Sequence, residues 1–179
     1  MMTSMITLEP LTADAFKPYG DVIATADRDH FMINNGSTRR YHQLANVDTE
    51  AEDGRTIISI FQATPLDYPL SVAMMERHPL GSQAFIPLFG NSYLILVAAP
   101  TGDLNNDPLD SQNIRGFISD GTQGVNYHKG VWHHPILALT DQDQFLVVDR
   151  AGPGNNCEEV HFSAAKTRVL KKPVSVPKC

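Results

Sequence analysis

An all-β fold, built as an antiparallel sandwich, barrel or jelly roll, is what this sequence predicts, on three observations. Short apolar stretches recur at near-regular spacing, turn chemistry separates most of them, and only one stretch reads as helix. Twelve Gly and twelve Pro in 179 residues demand frequent turns rather than a few long helices. The length suits one domain, residues 1–179, with a sizeable core. Pattern alone does not choose among the three architectures.

In chain order, Leu11–Tyr19 (LTADAFKPY) reads as the short helix, with Thr12 as N-cap and Pro18 ending it. The expected strands are Thr56–Gln62, Leu70–His78, Gln83–Pro87, Ser92–Ala99, Ile114–Ile118, Gly124–His128, Val131–Leu139, Gln144–Val148 and Glu158–Phe162. Between them fall Leu80-Gly81-Ser82, Phe89-Gly90-Asn91, Asp120-Gly121-Thr122 and the Gly/Asn-rich Ala151–Asn156. The polar segment Ala99–Asn113 is the longest loop and reads as a solvated excursion.

Apolar residues make up 42% and charged residues 19%, an ordinary globular balance. A net charge of −6 speaks against nucleic-acid and anionic-membrane partners, which need clustered Lys and Arg. Cys157 and Cys179 have no second pair, so they read as incidental thiols of a reducing compartment. Met1–Pro10 shows no basic region followed by an apolar one, and the longest apolar run, Leu94–Pro100, is far short of a membrane span. A cytoplasmic protein is expected.

The chemistry concentrates in two segments. In ERHPLGSQAFIPLFG, Glu76 and His78 share one strand face because side chains alternate. Pro79–Ser82 would close a hairpin, with Gly81 free for a strained turn, and set Gln83 opposite His78. In GVNYHKGVWHHP, a turn at His128-Lys129-Gly130 leads to Trp132-His133-His134. Neighbours on a strand face opposite ways, so only one of His133 and His134 lines a cavity, and residue pattern leaves open which. Elsewhere the plainer readings hold. Trp132 packs in the core, His30 and His161 are solvated, and Arg77 points away from Glu76 as an ion-pair partner. Asn34-Asn35-Gly36 is a turn, Tyr41 and His42 lie in a loop-like stretch, and Asp149 orients Arg150.

The spacing Glu76-x-His78, four residues, Gln83, six residues, Gly90 is similar to the first cupin motif, with Glu76 in place of its first His and Gln83 in place of its Glu. His128-Lys129-Gly130-Val131-Trp132-His133 is similar to the second motif with its Pro replaced. The resemblance implies a cupin-type jelly-roll β-barrel with His133 facing inward. A narrower resemblance covers Leu8–Cys157. FMINNGSTRRYHQLA (Phe31–Ala45), ERHPLGSQAFIPL (Glu76–Leu88), GTQGVNYHKGVWHHPILA (Gly121–Ala138) and LVVDRAG (Leu146–Gly152) resemble the bacterial ureidoglycolate lyase family, in the right order. The loop after Ala99 and the tail Lys171–Cys179 match it less well, and Phe61-Gln62 stands where the family carries a polar and a basic residue.

This resemblance implies cleavage of ureidoglycolate to glyoxylate and urea in allantoin and purine catabolism, by a homodimer with a divalent ion, nickel being the associated one. The substrate is a carbinolamine, one carbon bearing hydroxyl, urea nitrogen and carboxylate. Breaking its C–N bond takes a base at the hydroxyl, an acid at the nitrogen and an anchor for the carboxylate. Glu76 is the candidate base, its pKa expected to rise by desolvation. His78, His128 or His133 is the candidate acid. Arg40, Lys129 and Arg150 are candidate anchors, and the family stretches add Tyr41, His42, Gln83 and Asn126 to the substrate-binding set. Glu76, His78 and His133 form a two-His-one-carboxylate set suited to a divalent ion, although Glu76 and Gln83 depart from the usual cupin ligands. Alternative readings are a metal-dependent cupin oxygenase or isomerase, and a cupin that binds glyoxylate without catalysis.

Overall fold

A computed structural model describes residues 4–101 and 109–174. Its strands are β1 (Met5–Ile6), β2 (Leu8–Pro10), β3 (Gly20–Ile23), β4 (Phe31–Ile33), β5 (Thr38–Arg40), β6 (Arg55–Ala63), β7 (Leu70–Val72), β8 (Met74–Arg77) and β9 (Gln83–Pro87). They continue with β10 (Tyr93–Ala98), β11 (Arg115–Ile118), β12 (Gly124–Tyr127), β13 (Trp132–His133), β14 (Leu137–Ala138), β15 (Asp143–Ala151), β16 (Glu158–His161) and β17 (Arg168–Leu170). One α-helix, α1 (Ala13–Phe16), lies between β2 and β3, and single 3-10 turns occur at Ala51–Asp53 and Ser111–Asn113. The chain is thus all-β with a short N-terminal helix, as its pattern predicts.

Two sheets face each other. One runs β16-β8-β13-β10-β11-β2, with β14 also on β10; the other runs β3-β12-β9-β15-β6. Strand β10 shows how the layers are made. Tyr93, Ile95 and Val97 point between the sheets, toward Phe85, Val125, Tyr127, Phe145 and Val147 of the facing sheet. Leu94, Leu96 and Ala98 point the other way, into a second core capped by a small sheet of order β1-β17-β7. All six are buried, so β10 reads as an unbroken apolar run rather than an alternating one. Arg168 ties this outer layer together by donating to the carbonyls of Met5, Ser111 and Ile114.

The helix is shorter than Leu11–Tyr19. Thr12 caps it, its Oγ1 accepting from Ala15 N at 3.3 Å, but Pro18 has no N–H to continue the ladder. Phe16 drops from it into the space between the sheets and meets Phe117 edge-on at 5.5 Å. Two expected strands are each divided. Leu70–His78 breaks at Ala73, because β7 belongs to the capping sheet and β8 to the large sheet beneath it. Val131–Leu139 breaks around Pro135, which cannot donate to a ladder. The short strands β1 to β5 and β17 were not expected at all. The middle of the expected loop Ala99–Asn113, residues 102–108, and the tail end that carries Cys179 lie outside the described residues.

Phe16 is fully buried. Phe16→Ala should therefore cost about 3–5 kcal/mol of stability, read as a lower urea midpoint at unchanged m-value.

Candidate active site

Strand pairing places Glu76. In the β8–β13 pair, Glu76 and His133 are direct cross-strand partners, so their side chains leave the sheet on the same face. The flanking residues go to the other face: Arg77 lies over the Trp132 ring at 4.6 Å and pairs with Glu158 at 2.7 Å. This decides between the adjacent histidines. His133 is buried and stacks on Tyr127 at 4.3 Å with the rings 8° from parallel. His134 is partly exposed, its Nδ1 donating to the Pro135 carbonyl at 2.9 Å.

His78 and Gln83 do converge, but not through a hairpin. Strand β8 belongs to one large sheet and β9 to the other, so Pro79–Ser82 is a crossover between layers. Gly81 serves close approach there rather than turn strain: a Cβ on it would lie 2.8 Å from Arg150 Cβ and 3.1 Å from the Asp48 carbonyl. At the other crossing Gly130 takes φ +79°, and its N–H donates to the His78 carbonyl at 2.9 Å. That turn connects β12 to β13.

The hydrogen bonds around the cluster fix what each atom offers. His78 Nδ1 donates to the Asn156 carbonyl at 2.6 Å, and His133 Nδ1 donates to the Val131 carbonyl at 3.1 Å. Each neutral ring then presents its Nε2 lone pair. The Asp149 carboxylate accepts from Gln83 Nε2 at 3.2 Å, which turns the Gln83 carbonyl toward His78 Nε2, also at 3.2 Å. Glu76 Oε1 faces His133 Nε2 at 3.5 Å, long for a hydrogen bond, and that buried nitrogen has no hydrogen-bond partner. Glu76, His78 and His133 thus converge, with the Gln83 carbonyl beside His78. One ligand atom from each of Glu76, His78 and His133 lies within 4.8 Å of the other two. Such a set fits a divalent ion, which satisfies all of its lone pairs at once.

Electrostatics corrects one expectation. Burial does push the Glu76 carboxyl up, but contact with His133 and the charges of His133, His78 and His134 outweigh it, so its pKa lies below the ordinary value. Glu76 is therefore a carboxylate at neutral pH. Burial and the neighbouring His133 lower the pKa of His78, which favours its neutral ring.

Several sequence-predicted site residues are not brought to the cluster. His128 follows Tyr127 on the opposite face, is half exposed, and pairs with Asp21 at 3.1 Å. Lys129 pairs with Asp48 at 3.1 Å. Arg150 donates to the carbonyls of Ala51, Glu52 and Pro153, so it braces a loop instead of meeting an anion. Asp149 serves Gln83 and not Arg150. Asn126 is buried and donates to Asp21 and to the Asn46 carbonyl. Arg40, Tyr41 and His42 sit at or just past the end of an outlying β4–β5 hairpin, where Arg40 covers the Phe31 ring. Sequence reasoning missed Asn156, Tyr127 and Asp149 as supports. It also missed Cys157, whose thiol lies with Glu159 beside Glu76 at the open side of the cluster. The Gly/Asn-rich run before Cys157 was the one visible signal.

A sequence model of the family described as ureidoglycolate lyase matches residues 3–169. A protein of Pseudomonas syringae pv. tomato named ureidoglycolate lyase is 59% identical over 165 residues, covering 92% of this chain and 94% of its own. One of Pseudomonas aeruginosa with the same name is 56% identical over 170 residues, covering 95% and 97%. Among solved structures, a dTDP sugar isomerase of Desulfovibrio desulfuricans is 14% identical, covers 83% of this chain and 88% of its own, and superposes with a TM-score of 0.44.

Asp149→Asn removes the charge that orients the Gln83 amide. It should lower divalent-ion affinity about 10- to 100-fold, measured by ion titration, with little change in thermal stability.

Proposed function

The chain belongs to the ureidoglycolate lyase family, and we propose that Glu76, His78 and His133 would hold a divalent ion at its site, with Glu76 also moving the proton in its reaction. As a ureidoglycolate lyase it breaks the carbinolamine C–N bond of ureidoglycolate, releasing glyoxylate and urea. The observation that supports the assignment of residues is the convergence of one ligand atom from each of Glu76, His78 and His133 within 4.8 Å.

The reaction conserves protons: the one lost by the hydroxyl ends on the urea nitrogen. Glu76 is charged at neutral pH, so it can take the hydroxyl proton. The freed electron pair forms the aldehyde C=O, the C–N bond breaks, and its pair leaves on nitrogen. Oxygen and nitrogen share one carbon, so the same Glu76 carboxyl reaches the nitrogen and returns the proton there. His78 and His133, with Nδ1 fixed by backbone carbonyls, keep lone pairs rather than protons directed inward, which leaves delivery of the proton to Glu76. A divalent ion at this site supplies polarisation of the hydroxyl and positive charge for the substrate carboxylate. Nickel is the ion we assign, on its compatibility with imidazole and oxygen donors and on the family resemblance.

The same reading puts the enzyme in the cytoplasm, in allantoin breakdown, and as a homodimer. Among the described residues no helix is long and apolar enough to cross a membrane. Ile58 and Ile60 on edge strand β6, 69% and 53% exposed, are apolar surface that association would cover. The net charge of −6 supports a small-molecule substrate over nucleic acid or an anionic membrane.

Glu76→Gln should lower kcat about 10²- to 10⁴-fold in a coupled glyoxylate assay, with the fold unchanged. Chelation should lower activity, and added nickel should restore it. Full activity after chelation would remove the ion from the reaction while leaving Glu76 in place.

A further inference from the structure

The row of side chains that carries Glu76 continues past it. Edge strand β16 pairs with β8 on the side away from β13, and its register sets Glu159 directly opposite Glu76 and Glu158 directly opposite Arg77. On the outer face the pairing is complementary, with Arg77 and Glu158 at 2.7 Å. On the site face it is the reverse. Two carboxylates stand side by side, an arrangement that destabilises a sheet and that a bound cation relieves. Among the described residues, the ion pairs of these two carboxylates are with histidines, His133 at 3.5 Å and His161 at 3.0 Å.

A thiol completes the set. Ligand atoms of Glu76, Cys157 and Glu159 all lie within 4.8 Å of one another. Cys157 is free and exposed, and the loop before it fixes its place. Its N–H donates to Asn155 Oδ1 at 3.3 Å, while the neighbouring Asn156 accepts from Leu80 N at 2.8 Å and from His78 Nδ1 at 2.6 Å. Glu76 thus belongs to two ligand sets. On its inner side stand His78 and His133, where the buried His133 Nε2 faces Glu76 Oε1 and has no hydrogen-bond partner. On its outer side, toward the sheet edge, stand a thiol and a second carboxylate. The two sets differ in chemistry. Imidazole suits nickel, whereas a thiolate with carboxylate oxygens draws a thiophilic d10 ion such as zinc, which makes no geometric demand of its own.

We propose that Cys157, Glu159 and Glu76 form a second, inhibitory ion site at the open side of the cluster, which takes a thiophilic divalent ion of the zinc class. Binding replaces the S–H bond of Cys157 with a sulfur–metal bond and releases the proton to solvent. The Glu76 carboxylate is then held by a dication and no longer takes the substrate hydroxyl proton, so turnover stops. The ion on the imidazole side is not displaced. Two divalent ions stand about 3.5–4 Å apart in two-metal enzymes, so filling one set does not require the other to empty. This inhibition rests on the assignment of Glu76 above.

Cadmium is the probe, because its bond to a thiolate absorbs in the ultraviolet. Nickel-loaded enzyme carrying Cys179→Ser, which leaves Cys157 as its only thiol, is titrated with cadmium. It should gain the charge-transfer absorbance and lose turnover in parallel, while metal analysis shows the nickel retained. Adding Cys157→Ser should abolish the absorbance and raise the half-inhibiting cadmium concentration about 100-fold or more, since a direct ligand matters at least as much as an outer-shell support. Glu159→Gln should keep the absorbance at saturation and raise that concentration about 10- to 100-fold. Each variant is compared with its own rate before cadmium. Inhibition of equal potency after Cys157→Ser, inhibition that follows nickel release, or cadmium on Cys157 with full turnover overturns the proposal. A fully active Glu76→Gln enzyme, measured without cadmium, would instead refute the assignment of Glu76.

Discussion

The site depends on a single cross-strand register. Because Glu76 and His133 are direct partners in an antiparallel pair, a carboxylate and an imidazole leave the sheet side by side. A slip of one residue would exchange them for Arg77 and Trp132, which belong to the opposite face. The register is held from both sides. On the outer face, Met75 and Trp132 are buried under the capping sheet and Arg77 is clamped by Glu158. On the inner face, Tyr127 stacks flat on His133. The outer core therefore contributes to the chemistry by preventing sliding.

The crossover Pro79–Ser82 adds the second constraint. It carries the chain from one large sheet to the other within a few residues, and so brings His78 and Gln83 to the seam from different layers. Seam positions suit polar groups because the apolar cores lie above and below them rather than around them. Asp149, from the strand next to β9, reaches Gln83 there through Oδ2, while its Oδ1 is buried without a hydrogen-bond partner.

Much of this was legible in the residues. The alternation that put Glu76 and His78 on one side, and the rule that His133 and His134 face opposite ways, follow from a period of two. The closeness of His78 and Gln83 was also foreseen, though for the wrong reason: a four-residue connection looks the same whether it closes a hairpin or changes layers. The direction of the Glu76 pKa was misread because desolvation is visible in an apolar sequence and opposing imidazoles are not. Arg150, Lys129 and His128 were attractive anchors or acids by type alone, and only three-dimensional neighbours, three carbonyls, Asp48 and Asp21, reveal that they are occupied. The unseen strands, of two to four residues, carried too little pattern to be told from loop.

Both imidazoles are oriented by peptide carbonyls, those of Asn156 and Val131, instead of by side chains. Every amino acid brings such a carbonyl. The aim of the two rings is thus indifferent to which residues occupy those two positions, so long as the backbone path is kept. Inheritance can rewrite Val131 while its carbonyl still aims His133, whereas Asn156 does a second task, its Oδ1 accepting from Leu80 N at 2.8 Å in the crossover that follows His78.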